Sequence, residues 1–174
     1  MIRILRSGLA AIALAFAAFV PLYAPAQSLT DYAENKLVDA VFRAQSLGAP
    51  ATFYVGLATA ASSCETGTVT EVSTSGTAYA RAAVTSSLAN WAGTQSAGST
   101  TASSGTGGQT SNNSTITIGS TATASWGTVT HFIVADASSG GNIWICQALT
   151  TSKTINNGDP APTFSAGGLT VTFQ

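Results

Sequence analysis

Charge is what this chain has least of: Asp, Glu, Lys and Arg together make up only 7% of its 174 residues, against roughly 25% in an average soluble protein. Basic residues are concentrated nowhere, so a nucleic-acid partner is not expected. There is a single histidine, His131, and only two cysteines, Cys64 and Cys146. One His and two distant Cys make no recognised zinc spacing. A Ser-His-Asp set can be assembled on paper from His131, Asp136 and any of many serines, but no Gly-x-Ser-x-Gly elbow supports it. No phosphate-cradling Gly loop precedes a helix, and nothing singles out a glycosidase-type carboxylate pair. No catalytic, cofactor-binding or metal-binding residue is assigned.

What the chain does have is apolar content without charge. Hydrophobic residues make up 45% and the net charge is −1. A disordered chain combines low hydrophobicity with high net charge, so this one is expected to fold. Its length suits one domain plus a short accessory segment. Most of its polarity comes from Ser, Thr, Asn and Gly, a surface that repels neighbouring copies poorly and suits packing against other subunits.

Residues 1–26 have the layout of a secretory signal peptide. Arg3 and Arg6 open it, an apolar run follows from Gly8 to Val20, Pro21 breaks the run, and Ala24-Pro25-Ala26 gives a small-x-small cleavage pattern. The competing reading is a retained membrane anchor, but a spanning helix needs about 20 apolar residues and this run is shorter. Cleavage after Ala26 removes two of six basic side chains and leaves four against seven acidic ones, a net −3; no stable membrane span then remains. In an oxidising compartment Cys64 and Cys146 either pair, stabilising the fold by up to about 4–5 kcal/mol through the long loop they close, or stay as two buried thiols; two cysteines alone do not decide.

Residues 27–50 read as a helix and connector. The helix is expected over 28–47, with Ser28 as cap, Asp31 near the positive helix end, and Gly48 and Pro50 as the stop. Leu29, Tyr32, Ala33, Leu37, Ala40, Val41 and Ala44 draw one apolar face at spacings of three and four. Val38 and Phe42 fall outside it. A helix apolar on more than one side needs cover on more than one side, so Val38 and Phe42 are expected to meet a second subunit.

Residues 51–174 change to short strands and turn residues. Strands are expected at 52–58, 68–72, 78–85, 114–118, 128–135, 142–149, 151–155 and 169–173, punctuated by Ser, Gly and Asn clusters. Such spacing argues for a mainly β, antiparallel β-sandwich (jelly-roll or Ig-like) behind one N-terminal helix. Strict βαβ alternation is absent, which argues against a parallel sheet. The stretch 93–114, almost wholly Gly, Ser, Thr, Gln and Asn, reads as a flexible insert, either an inert spacer or a functional loop. Within it Asn112 and Asn113 each head an Asn-x-Ser/Thr triplet. Trp91, Trp126 and Trp144 would stack on sugar rings if exposed; core or interface packing is the stronger expectation. Arg81, an isolated charge in an apolar strand, is expected to pair with a carboxylate such as Glu71.

Four blocks occur in order: Thr-Ala-Tyr-Ala-Arg-Ala-Ala-Val-Thr at 77–85, Ala-Ser-Trp-Gly-Thr-Val-Thr-His-Phe at 124–132, Ala-Asp-Ala-Ser-Ser-Gly-Gly-Asn-Ile at 135–143, and Ala-Leu-Thr-Thr-Ser-Lys-Thr-Ile-Asn-Asn-Gly-Asp at 148–159. With the helix segment 37–42 and the strand 49–57, they make most of the chain beyond residue 26 resemble small tail-fibre or virion structural proteins of tailed bacteriophages and prophages. The export signal and the length of the 93–114 insert stand outside that resemblance. It implies a non-catalytic particle component (tail fibre, appendage or capsid decoration) on a virion surface, with itself and other virion proteins as partners. The alternative is an exported glycan-binding adhesin module, periplasmic or extracellular, with a cell-surface glycan as partner. A secreted hydrolase is a distant third.

Overall fold

A computed structural model describes residues 29–93, 100, 102–104 and 108–173. The proposed signal peptide at 1–26 lies outside the described residues. The elements are helix α1 (Asp31–Phe42) and strands β1 (Thr52–Ser63), β2 (Thr68–Glu71), β3 (Ala82–Thr85), β4 (Trp91–Ala92), β5 (Gln109–Asn112), β6 (Ile116–Thr117), β7 (Gly127–Ala135), β8 (Ile143–Ile155), β9 (Thr163–Phe164) and β10 (Thr170–Thr172). The protein is mainly β, and its named strand pairs are antiparallel. The largest sheet runs β2-β1-β7-β8 with β3 also on β1; β10-β5-β4 and β6-β9 form two smaller sheets. Together they make a sandwich-like arrangement.

The pairing register explains the core. Val55 lies opposite Val134, which lies opposite Ile145, and Leu57 lies opposite Phe132. Cross-strand partners share a face, so these side chains form an apolar floor. They join Ile116, Ile118, Leu169 and Val171 of the opposing layer in one buried cluster. Phe132 meets Phe164 edge-on, ring centres 6.0 Å apart. Each such side chain contributes on the order of 1.5–3 kcal/mol by leaving water.

One edge of β1 is shared by two strands in succession. Thr52–Val55 pair with β3, and Ala58–Ser63 with β2. Between β2 and β3 the chain leaves the sheet over residues 72–81, and Val72, Thr77 and Tyr79 of this excursion are buried. The expected strand at 78–85 therefore starts only at Ala82. The expected strands at 142–149 and 151–155 are both in β8, and the break between them is an irregularity: Ala148 pairs with His131, while Lys153 pairs with Val129.

The helix is shorter than its apolar spacing suggests. Leu29 bridges to Ile145 and the Thr30 backbone N–H donates to the Trp144 carbonyl at 3.0 Å, so residues 29–30 extend the sheet edge at β8. Helix geometry begins only after them. Thr30 is the cap, its Oγ1 accepting from Ala33 N at 3.4 Å and donating to the Ile143 carbonyl at 2.5 Å; the expected cap, Ser28, lies outside the described residues. At the other end Ala44 adopts a left-handed backbone with φ of 54°, which ends the helix before 47 and sends 45–51 on as a connector. Of the expected apolar face only Ala33 is buried within the helix, because the helix is anchored at its first turn and its far end leaves the sheet.

The expected insert at 93–114 contains a strand. Residues 109–112 are β5, paired with both β10 and β4. Asn112 is buried. Its Nδ2 donates to the carbonyls of Ser114 and Ser165, each at 2.8 Å, and its Oδ1 accepts from Leu169 N at 2.8 Å. It stitches β5 to the turn before β10 and is inaccessible to a glycosylating enzyme. The part of the insert at 94–99, 101 and 105–107 lies outside the described residues.

Candidate functional site

The reactive groups do not converge. His131 sits on β7, half-buried, with Nδ1 2.8 Å from Thr130 Oγ1. Asp136 follows it by five positions, which on an extended strand is about 16 Å. Asp136 is instead occupied in closing the β7–β8 turn: its carboxylate accepts from Asn142 N at 2.7 Å and Asn142 Nδ2 at 2.8 Å. Burial opposes its charge, but these bonds outweigh it and hold its pKa below the usual carboxylate value. Among the described residues no three His, Cys, Asp or Glu side chains gather where a metal ion could sit.

The best-developed polar cluster is Glu71, Tyr79 and Arg81, in the gap between β2 and β3. Arg81 Nε and Nη2 donate to the two oxygens of Glu71, each at 2.7 Å. Its Nη1 donates to the carbonyls of Ala137 and Gly140 at 2.7 and 2.8 Å, gripping the β7–β8 turn. Tyr79 Oη donates to Glu71 Oε1 at 2.7 Å and accepts from Leu57 N at 2.9 Å. The phenol thus replaces the strand partner that the gap takes from Leu57. Burial, then the bond to Glu71, raises the Tyr79 pKa well above its ordinary value. The Arg81 pKa is raised by Glu71, against the effect of burial. Gly56 makes room for the cluster: a Cβ there would lie 2.6 Å from Tyr79 Oη and 3.1 Å from Glu71 Oε1. Each polar group of the cluster is engaged by another or by the backbone around it. Its chemistry is structural.

The tryptophans separate into two kinds. Trp126 is buried edge-on against Tyr79, ring centres 5.3 Å apart, and its Nε1 donates to the Thr77 carbonyl at 2.7 Å. Trp144 is buried between Tyr32 and Phe53, edge-on to both at 5.5 and 5.7 Å. Neither presents a free face for a sugar, since both rings are buried. Trp91 is part-exposed and stands in the wall of a cleft.

That cleft has a volume of about 700 Å³. Val134, Ile145 and Val171 line its base, and Phe53 and Trp91 stand over them. Leu88 and Phe173, 53% and 44% exposed, mark its rim. No charged side chain is among the described lining residues. The cleft brings together six stretches distant in sequence, which is why local pattern did not reveal it; the one signal was an isolated Leu88 in a Ser-rich turn.

The second apolar feature is the far end of α1. Val38, Val41 and Phe42 are 49%, 68% and 82% exposed. Val38 and Phe42 were expected to lie away from the sandwich. Val41 was expected against it and is exposed with them. The near end of the helix is held firmly. Asp31 N donates to the Glu65 carbonyl at 2.7 Å, and the neighbouring Cys64 is joined to Cys146 with α-carbons 5.1 Å apart. No helix among the described residues is long and apolar enough to cross a membrane.

A comparison with curated proteins finds no match. Residues 28–172 match the family described as podophage GP4 fiber I protein gp80. The match spans the helix and the sheets and supports a virion structural role: the chain belongs to this phage fibre protein family.

Proposed function

We propose that the chain is a non-enzymatic subunit of a virion appendage, displayed on the particle surface, that assembles with copies of itself and with other virion proteins. The observation that carries the self-association is the exposed apolar end of α1, with Val38 and Phe42 at its centre, on a chain of the fibre family. Large exposed apolar groups that cluster mark interaction sites. The weakly charged Ser/Thr surface opposes close packing of copies little. The fibre family and the engagement of Asp136 by Asn142, away from His131, support a role without catalysis. Residues 1–26 are proposed to export the chain before assembly. The glycan-binding alternative retains Trp91 alone, since Trp126 and Trp144 are enclosed.

Mass spectrometry of purified particles from the phage or prophage that encodes the chain tests the reading. The expected result is its peptides in stoichiometric amounts, with the N-terminal peptide starting at Gln27. Particles that contain their capsid and tail proteins but lack this chain would overturn it. Peptides from residues 1–26 in those particles would overturn the processing step alone.

A further inference from the structure

We infer that Val38, Val41 and Phe42 of one copy seat in the cleft of a second copy, against Phe53, Trp91, Leu88 and Phe173, in a head-to-tail contact. This rests on the self-association proposed above and names the surface that receives the helix. The spacing is that of a helix docked in a groove: positions 38, 41 and 42 are i, i+3 and i+4, one side of the helix.

Size agrees. A helix rises about 5.4 Å per turn and is about 10–12 Å across, so one turn fills roughly 500 Å³; the cleft holds about 700 Å³. Charge agrees as well. The described lining of the cleft carries none, and neither does the apolar side of the helix end. The charges beside it, Asp39 and Arg43, are paired with each other at 2.9 Å. Seating the last turn therefore leaves neither of these two ions without its partner, which is the usual penalty at an interface.

The area sets the form of the assembly. Taking about 150–250 Å² for a buried aromatic ring, the three side chains supply on the order of 300 Å². A stable interface takes about 800 Å² from each partner, so one such contact alone is weak. A head-to-tail contact uses two different patches, so each copy offers both a helix end and a cleft. In a closed ring every subunit makes the contact twice. A symmetric helix-on-helix pairing would use the helix once and leave Leu88, Phe173 and the cleft uncovered. The cleft accounts for both apolar features with one contact.

The test uses protein purified from expression of the full chain, with sedimentation velocity across a concentration series to tens of micromolar. Phe42→Asp removes the inserted side chain, and Leu88→Asp or Phe173→Asp charges the receiving rim. All three positions are exposed, and circular dichroism checks that each variant keeps the wild-type β signal. Each variant alone is expected to raise the concentration for half-assembly at least tenfold. The mixture reads a single contact: F42D keeps an intact cleft and L88D keeps an intact helix end, so the two together form one weak contact, seen as a weight-average sedimentation coefficient that rises with concentration above that of either variant alone. Two outcomes overturn the inference while leaving self-association standing: a wild-type oligomer that L88D and F173D do not weaken, or a mixture whose weight-average sedimentation coefficient at the highest concentration is no greater than that of either variant alone. A wild type that is a clean monomer at tens of micromolar overturns self-association itself. Should one rim variant fail to fold, the other carries the same comparison.

Discussion

At the broken edge of β1, Glu71, Tyr79 and Arg81 satisfy one another and the backbone around them; at the far end of α1, Val38, Val41 and Phe42 satisfy nothing in their own chain. The first region is closed chemistry. Arg81 spends four donor contacts on Glu71, Ala137 and Gly140, and Tyr79 fills the place of a missing strand residue. The second region leaves apolar surface in water, as does the rim of the cleft at Leu88 and Phe173. The difference teaches where to look for function in a chain with no reactive site. The completed polar cluster holds the fold, and the uncompleted apolar surface is where another molecule is needed.

Breaking the closed region should have the largest effect on stability. Arg81→Ala removes a guanidinium whose side chain is 4% exposed and leaves Glu71 facing Tyr79 alone. The expected loss is about 3 kcal/mol, the low end of the cost of breaking a buried pair, because Glu71 keeps some access to water. Replacing both partners with neutral residues, Glu71→Gln with Arg81→Met, should cost less than Arg81→Ala alone, since no charge is then stranded. Urea unfolding measures both. A loss below about 0.5 kcal/mol for Arg81→Ala, the scale of an ordinary surface substitution, would remove the cluster from the account of the fold.

Part of that cluster was legible before the structure. An isolated Arg81 among alanines signalled a partner, and Glu71 was the expected one. Their separation by an excursion at 72–81 was not legible, because Tyr79 substitutes a side-chain oxygen for a strand partner, and no periodicity encodes that. Strands β1, β2, β7 and β8 showed themselves through β-branched and apolar residues. Strands β4 and β9 are two residues each and fall below any pattern. Asn112 sits in a stretch whose composition reads as loop, yet it is buried by bonds to backbone groups more than fifty positions away. The extent of the helix depended on the β8 edge claiming Leu29 and Thr30, a long-range event. The cleft was invisible for the same reason: its walls come from segments joined only by folding.

A smaller effect sharpens the role of Tyr79. An ordinary tyrosine titrates near pH 10. Burial and the Glu71 bond raise the folded-state pKa above that. A raised folded pKa gives stability that is fully present below about pH 10 and is lost as pH rises towards the folded value, because the unfolded chain sheds its proton first. Stability should therefore decline from about pH 10 upward. Tyr79→Phe should start lower at neutral pH by about 1–2 kcal/mol, since it strands Leu57 N, and should then decline less steeply. Chemical denaturation at a series of alkaline pH values reads the two slopes. Parallel slopes would mean that Tyr79 does not carry the proton linkage.

The smallest expected effect on stability is at the open region, and its smallness is the point. Phe42 makes few contacts within its own chain at 82% exposure, and Val41 is close behind. Substituting an exposed residue away from caps, pairs and core shifts stability by about 0.5 kcal/mol or less. Phe42→Asp adds a carboxylate to the last turn of α1, where the helix dipole disfavours negative charge by about 0.3–1 kcal/mol; Phe42→Ser avoids that term. At a concentration low enough to keep the chain monomeric, Phe42→Ser should unfold within about 0.5 kcal/mol of wild type. If it is instead destabilised by more than about 2 kcal/mol, on the scale of a core truncation, then Phe42 packs within its own fold, and the contrast between a closed and an open region no longer holds.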